Sequence, residues 1–197
     1  VIGASMLWVG WFGFNAGSAV AANGNAGMAM LVTQVAAAMS SLSWMAIEWK
    51  TNKKPSVIGI ISGAVAGLVA ITPACGFVGV GGALIIGAIS GIGCYYACRL
   101  KFKFNFDDSL DVFGVHCVGG IIGALLTGIF AVKEIGGVDG SFQQFLAQCE
   151  GVGVTIVYGS IMTLIILKVI DTIIGLRVDR RTEDEGLDLT IHGESLH

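Results

Sequence analysis

Charged side chains are scarce in this chain, and the places where they are missing are informative. Only 13% of the 197 residues are Asp, Glu, Lys or Arg, whereas soluble domains carry about 25%. Residues 1–47 contain none, and residues 55–98 form a second uncharged run. Because about 20 apolar residues can cross a bilayer as a helix, each run is long enough for two crossings. This distribution excludes an ordinary soluble domain and indicates a polytopic α-helical membrane protein.

Other absences narrow the class further. The alternating segments of about ten residues that build a transmembrane β-barrel are missing, which favours an all-α fold. The five cysteines show no metal-ligand spacing, and a free cysteine in an apolar run acts as a small hydrophobic residue. The net charge of −3 comes without a basic patch, so we expect no nucleic-acid partner. We also expect no metal, no cofactor and no enzymatic activity.

Helix-breaking segments divide the chain into six predicted crossings and a charged tail. The breaks are AANGNAG, EWKTNKKPS, TPACG with its Pro73, the charged RLKFKFNFDDS, and KEIGGVDGSFQQ. A proline inside TPACG cannot continue a helix. The predicted crossings cover residues 1–20, 28–47, 56–71, 77–98, 110–132 and 145–176, and the tail covers residues 177–197.

Basic residues predict the orientation of these crossings. Nine of the eleven Lys and Arg residues follow the second, fourth and sixth crossings. Loops rich in Lys and Arg face the cytoplasm, so the tail is predicted to be cytoplasmic and the first crossing to start on that side. Glycines four residues apart recur in four crossings, which predicts close packing of helices. These pairs are Gly13 and Gly17, Gly63 and Gly67, Gly87 and Gly91, and Gly119 and Gly123.

A single histidine lies in the otherwise apolar fifth crossing, within DVFGVHCVGG at residues 111–120. An ionisable group in a membrane is costly and usually faces a cavity or the interior of a bundle. Neutral imidazole has one donor and one acceptor nitrogen, which suits a small hydrogen-bonding molecule. Two other interpretations of His116 remain: a packing histidine bonded to a backbone carbonyl, and a haem ligand. The second is disfavoured because no crossing supplies another axial histidine.

Three aspartates precede this histidine, and we interpret them as structural residues at the start of a helix. Acidic side chains at a helix N-terminus accept hydrogen bonds from free N–H groups and meet the positive end of the dipole. Asp107 and Asp108 fit this role directly. Asp111 lies five residues before His116, which is more than one helical turn, so the two are not expected on the same face.

Aromatic residues crowd the first crossing in LWVGWFGFNAGSA, residues 7–19. One interpretation is an aromatic belt at the membrane interface. The other is a vestibule that attracts cations, since an aromatic face binds a cation with about 0.5–2 kcal/mol. Phe14 and Ser18 are four residues apart and share a helix face. The Ser18 hydroxyl could therefore accept a hydrogen bond from a donor held over Phe14. Spacing alone does not separate the two interpretations.

Four segments together resemble the ammonium transporter family, which includes the Amt, Mep and more distant Rh proteins. They are WFGFNAGSA, SGAVAGLVAITPACGFV, DVFGVHCVGG and the tail GLRV…EDEGLDLTIHGE, and the resemblance covers essentially all 197 residues. The tail is most similar to bacterial and archaeal members. Family members have eleven transmembrane helices, of which the first ten form two inverted halves, and they assemble as trimers. This chain resembles helices six to eleven.

The resemblance also implies roles for individual residues. It makes Phe14 one of two stacked phenylalanines that close the pore from outside, and Ser18 the hydroxyl of the outer ammonium site. It makes His116 the second of two pore histidines that hydrogen-bond to each other. The other phenylalanine and the first histidine belong to the family's first half. The remaining matches, which line or support the path, are Trp11, Thr72 and Val112.

The family implies a transporter of ammonium and ammonia in the inner (plasma) membrane. An alternative is an ammonium sensor whose tail carries the signal, and a weaker one is a pore for another neutral solute such as carbon dioxide, as in Rh relatives. The charged tail, residues 177–197, allows two interpretations. One is a disordered solvated end; the other, implied by the resemblance, is a docked segment that contacts a neighbouring subunit and a PII-type signal protein.

Overall fold

The computed structural model describes residues 1–195, and these form helices joined by short loops, with one isolated bridge between Val78 and Ala131 as the only strand-like pairing. The all-α prediction is confirmed. The helices are α1 (Ile2–Gly17), α2 (Gly24–Asn52), α3 (Val57–Ile71), α4 (Val80–Phe104), a π-helical segment (Val112–Cys117) that continues into α5 (Val118–Phe130), α6 (Lys133–Gly136), α7 (Phe142–Ile173), α8 (Arg180–Glu185) and a second π-helical turn (Asp188–His192).

The chain forms two compact units, Val1–Val152 and Gly153–His197. In the first unit, α2 packs most extensively against α3 and α4, which also contact each other, and it packs less extensively against α1. The N-terminus of α2 is capped by Asn23, whose side chain accepts a 3.1 Å hydrogen bond from the Ala26 amide. Ser56 caps α3 in the same way through the Gly59 amide at 2.9 Å. These caps satisfy amides that have no partner within the helix, and so they fix where each helix begins.

Glycines allow both α3 and α4 to approach α2 closely. A Cβ atom at Gly67 of α3 would lie 2.6 Å from the carbonyl oxygen of Ala36, and one at Gly87 of α4 would lie 2.5 Å from the same oxygen. Both distances are too short for a real side chain, so the two helices need glycine at these positions. The predicted close packing is therefore observed at these pairs. A Cβ atom added at Gly13 or Gly17 would have no described atom outside the helix within 4 Å.

Among residues 1–195, four helices are long and apolar enough to cross a membrane: Gly24–Asn52, Val80–Phe104, Val112–Phe130 and Phe142–Ile173. The other two apolar helices are shorter, with 16 residues in α1 and 15 in α3, whereas a perpendicular crossing takes about 20. All six predicted crossings contain a helix. That α1 and α3 also cross the membrane stays a prediction.

Helix ends differ from the predicted ones most clearly at α4. This helix was predicted to end at Cys98, but it continues through the charged connector and ends at Phe104. The residue that caps its C-terminus, Asn105, adopts the left-handed conformation with φ 54°. The extra turns carry Lys101 and Lys103 in the last turn, where positive charge is favourable beside the negative end of the helix dipole.

The second unit contains α7 from Gly153 onwards and the described part of the tail. Arg177 donates to both carboxylate oxygens of Glu183, and Arg181 pairs with Glu185 at 2.7 Å. Asp179 caps α8 by accepting a 3.0 Å hydrogen bond from the Thr182 amide. The described part of the tail therefore contains two short helical segments, Arg180–Glu185 and Asp188–His192. Whether the tail is a docked segment or a solvated end stays a prediction. The last two residues of the predicted tail, 196 and 197, lie outside the described residues.

Candidate functional site

An aromatic group on α1 is tied to the end of α3. The indole N–H of Trp11 donates a 2.8 Å hydrogen bond to Thr72 Oγ1, and this hydroxyl donates in turn to the Leu68 carbonyl at 2.8 Å. The Trp11 and Phe14 rings meet edge to face, with centroids 5.9 Å apart and planes at 73°. The Thr72 hydroxyl at the end of α3 thus holds the Trp11 ring in place, and the Trp11 ring in turn packs against the Phe14 ring.

The Phe14 ring is 62% exposed among the described residues. It borders a cavity of about 460 Å³ that is almost entirely apolar. A ring of this kind offers its negative π face to a cation. The other residues lining the cavity are Met6, Leu7, Gly10 and Trp11.

Ser18 lies one turn beyond Phe14 at the C-terminal end of α1. Its hydroxyl donates a 2.8 Å hydrogen bond to the Phe14 carbonyl oxygen. Because the single O–H is used in this bond, the lone pairs of the oxygen remain available. Ser18 therefore presents an acceptor close to the Phe14 backbone, which suits a ligand that donates hydrogen bonds.

His116 lies in a π-helical segment rather than in a regular α-helix. The segment covers Val112–Cys117, with Gly114 and Val115 buried and His116 exposed. Val112 is also exposed, at 54%. Single π-turns in helices occur frequently at functional sites. The first part of the fifth predicted crossing thus directs Val112 and His116 to an open face while its other side packs inward.

The three aspartates before this segment have different environments. Asp108 accepts hydrogen bonds from the Val112 amide at 2.8 Å and the Phe113 amide at 3.0 Å, and so it caps the π-helical segment. Asp111 has a positive φ of 55° and forms an ion pair with Lys101 at 2.7 Å. Asp107 is exposed.

The predicted site residues thus fall into two groups. One contains Trp11, Phe14, Ser18 and Thr72, and the other contains Val112 and His116 with the aspartates. A buried cluster around Trp44 and Tyr95 lies between the two groups in the contact pattern. Trp11 of the first group packs against this cluster, and Val115, next to His116 of the second group, belongs to it.

The sequence reasoning missed Asn15, which is 2% exposed and donates a 2.9 Å hydrogen bond to Thr33 Oγ1, joining α1 to α2. An amide inside an apolar run was the signal that could have identified this residue.

An all-helical bundle with several long apolar helices, and with an aromatic group and a histidine on open faces, defines a multi-pass membrane protein. The model of the Ammonium Transporter Family matches residues 1–196, and the chain therefore belongs to this family. The resemblance inferred from the sequence is confirmed.

Among curated relatives, the ammonium transporter of Aquifex aeolicus is 51% identical and covers 100% of this chain and 47% of its own length. The ammonium transporter Amt1 of Archaeoglobus fulgidus is 46% identical, covering 98% of this chain and 50% of itself. The chain spans about half the length of the curated relatives it matches.

Solved structures show the same architecture. The crystal structure of Saccharomyces cerevisiae Mep2 superposes with a TM-score of 0.86 at 37% identity, covering 92% of this chain and 43% of its own. A structure described as a sensor Amt protein gives a TM-score of 0.88 at 33% identity, covering 96% of this chain and 48% of its own. At these identities the shared fold accompanies shared ancestry.

Proposed function

We propose that this chain forms part of an ammonium transporter that gathers ammonium at an outer aromatic site and conducts ammonia past His116. The observation that carries the proposal is the geometry at Ser18. Its proton is used in the bond to the Phe14 carbonyl, so its oxygen can only accept. Ammonium donates up to four hydrogen bonds and carries a positive charge, which matches an acceptor one helical turn from an exposed aromatic residue.

The apolar path beyond this site gives selectivity. Moving an ammonium-sized ion into a low-dielectric medium costs on the order of 20 kcal/mol in the Born limit, and several kcal/mol after relaxation. Potassium has to meet this cost with its charge intact. Ammonium can avoid it by transferring a proton to solvent water on the outer side of Phe14, after which neutral ammonia crosses.

His116 is proposed to guide ammonia or relay the proton on this path. Its imidazole is exposed on the open face of the π-helical segment, and a neutral imidazole can both donate and accept. Trp11 and Thr72 support the outer site through their hydrogen bond. Val112 lies on the same open segment as His116 and is proposed to line the path.

We further propose that the complete protein lies in the inner (plasma) membrane as a homotrimer, surrounded by lipid. The cluster of arginines after α7 supports a cytoplasmic tail, because basic segments stay on that side. A PII-type signal protein is the proposed partner at the cytoplasmic face.

Uptake of a labelled ammonium analogue by the full-length protein tests the role of His116. With His116→Ala we expect reduced uptake and a lower preference for ammonium over potassium. The matched control is His192→Ala, which removes an imidazole from the tail. Undiminished uptake with unchanged selectivity in His116→Ala would remove His116 from the mechanism.

A second candidate function is an ammonium sensor that signals through its tail. Two observations favour it: the similarity to a structure described as a sensor Amt protein, and the ordered ion pairs of α8. Deleting the residues after Val178 separates the two functions. A sensor would keep ammonium binding and lose signalling with little change in flux, whereas a regulated transporter would show altered flux.

A further inference from the structure

The π-helical segment that carries His116 rests on a single stripe of α4. We propose that this stripe, formed by Cys94, Cys98 and Lys101 and called the α4 stripe below, sets the orientation of the His116 imidazole. The three residues are separated by four and three positions, so they lie on one helix face. Lys101 is the polar end of the stripe and acts as a positioning residue for His116.

Lys101 holds the start of the π-helical segment through two bonds. Its ammonium donates to Asp111 Oδ1 at 2.7 Å and to the Asp108 carbonyl at 2.9 Å. The side chain of Lys101 is only 18% exposed, so this ion pair is shielded better than a surface pair. Asp108 in turn caps the segment with its carboxylate. One cation thus fixes both residues that define the first turn.

Asp111 adopts a conformation that needs such support. Its φ of 55° lies in the left-handed region, which is uncommon for a residue with a side chain and is maintained by surrounding contacts. The ion pair with Lys101 holds the Asp111 carboxylate, and the Cys98 thiol of the same stripe also hydrogen-bonds to it.

Further along the stripe, α4 meets the backbone of the segment directly. A Cβ atom at Gly114 would lie 2.8 Å from the Cα of Cys98, so only glycine allows this approach. The Cys94 thiol lies 3.8 Å from the Val115 carbonyl oxygen as a donor. The stripe therefore contacts the segment at its start and at its two buried residues.

These contacts determine where His116 points. Bonds in a π-turn run from residue i to residue i+5 instead of i+4, so the residues after it are rotated from their α-helical positions. With Gly114 and Val115 held against α4, the next residue is directed to the open face, where His116 is exposed. If the first turn relaxed to an α-helix, the imidazole would leave this direction.

This inference rests on the proposed function of His116, but it can be tested separately. In the full-length protein in lipid bilayers, ¹⁵N-labelled histidine reports the environment of the His116 imidazole by solid-state NMR. The resonance is assigned by its loss in His116→Ala. Lys101→Met keeps the length of the stem and removes the charge. Lys103→Met is the matched control, because Lys103 is exposed two residues further along α4 and its ammonium lies over the neighbouring Phe104 ring.

We expect Lys101→Met to shift the His116 resonance and to lower selectivity for ammonium over potassium about tenfold or more, since small displacements of a reacting group have effects of that size. Lys101→Arg keeps a cation at this position and should leave the His116 resonance and the selectivity as in the unchanged protein. Lys103→Met should also change neither the resonance nor the selectivity. Asp111→Asn is the milder variant if Lys101→Met does not fold, and the same changes are expected. An unshifted resonance in the folded Lys101 or Asp111 variant would overturn the inference.

The two proposals fail in different ways. If His116→Ala lowers selectivity and Lys101→Met alters neither resonance nor selectivity, the positioning role is wrong and the proposed function stands. If His116→Ala leaves selectivity unchanged, the proposed role of His116 is wrong, and the resonance in Lys101→Met still decides whether the α4 stripe orients the imidazole.

Discussion

The indole N–H of Trp11 in α1 donates a 2.8 Å hydrogen bond to Thr72 Oγ1 at the end of α3, 61 residues further along the chain. Thr72 also donates to the carbonyl of Leu68, so its hydroxyl joins the aromatic group to the backbone of α3. The pair fixes Trp11, and the edge-to-face contact with Trp11 then limits the movement of Phe14. A threonine in a break between two helices thus supports an aromatic group on another helix.

Replacing Thr72 by valine tests this connection. Thr72→Val preserves the shape of the side chain but leaves the half-buried indole N–H without its acceptor. We expect a loss of about 1 kcal/mol in unfolding free energy, the usual net contribution of one hydrogen bond. Thermal unfolding of the full-length protein in detergent measures this loss. The matched control is Thr172→Val, because the Thr172 hydroxyl donates only within its own helix. Equal effects of the two variants would show that the bond to Trp11 contributes nothing.

Removing the hydroxyl of Ser18 tests the outer site. Ser18→Ala should raise the half-saturating ammonium concentration about tenfold, since a hydrogen bond to a charged group contributes about 1.5 kcal/mol or more. The maximal rate should change little, because this site binds before the path is entered. Concentration dependence of uptake by the full-length protein separates the two quantities.

Two further variants control the Ser18 experiment. Ser18→Thr keeps an acceptor oxygen and should retain most of the affinity. Ser41→Ala removes a hydroxyl that makes the same type of bond, to the Ala37 carbonyl in α2, and should not change half-saturation. A fall in affinity shared by Ser18→Ala and Ser41→Ala would point to general loosening of helices.

The close approach of α3 to α2 makes Gly67 intolerant of a side chain. Gly67→Ala places a methyl group against the Ala36 carbonyl and the Ser40 Cβ, at 2.6 and 2.7 Å. Such overpacking costs about 1–3 kcal/mol, and denaturation of the full-length protein measures it. A Cβ atom added at Gly120 in α5 would have no described atom outside the helix within 4 Å. Gly120→Ala should therefore be neutral, and equal destabilisation would contradict this account of the packing.

The apolar runs predicted the positions of the helices because burial in lipid depends on composition over a whole segment. The end of α4 was harder to predict, since the charges of RLKFKFNFDDS indicated a connector between two crossings. In the structure this connector is helical through Phe104, and Lys101 forms an ion pair with Asp111 on the next segment. Loop charge alone indicated orientation and gave no sign of this pairing.

The site was predictable to the extent that single residues were unusual. His116 and Phe14 were identified, and the structure places both on exposed faces. The π-helical register around His116 was not predictable, because the choice between i+4 and i+5 bonds depends on contacts with α4. The fit of Gly114 against Cys98 is one such contact, and it joins residues from two different crossings.

The tail should respond to acid through Glu183 and Asp179. The hydrogen bond from the Arg177 guanidinium lowers the pKa of Glu183 below its ordinary 4.5. The backbone amide of Thr182, followed by its hydroxyl, lowers the pKa of Asp179 below 3.8. Because folding depresses both pKa values, their stabilising contribution is complete above about pH 4.5 and is lost as the pH falls through the depressed values.

Arginine substitutions in the tail test the origin of this pH dependence. In Arg177→Gln the pKa of Glu183 should rise towards 4.5, because the guanidinium that stabilises its carboxylate is gone. NMR titration of ¹³C-labelled glutamate carboxyl groups in the full-length protein measures the change. Arg180→Gln is the matched control, since Arg180 forms no ion pair among residues 1–195. A midpoint for Glu183 that moves equally in both variants would assign the shift to the net charge of the tail rather than to the pair with Arg177.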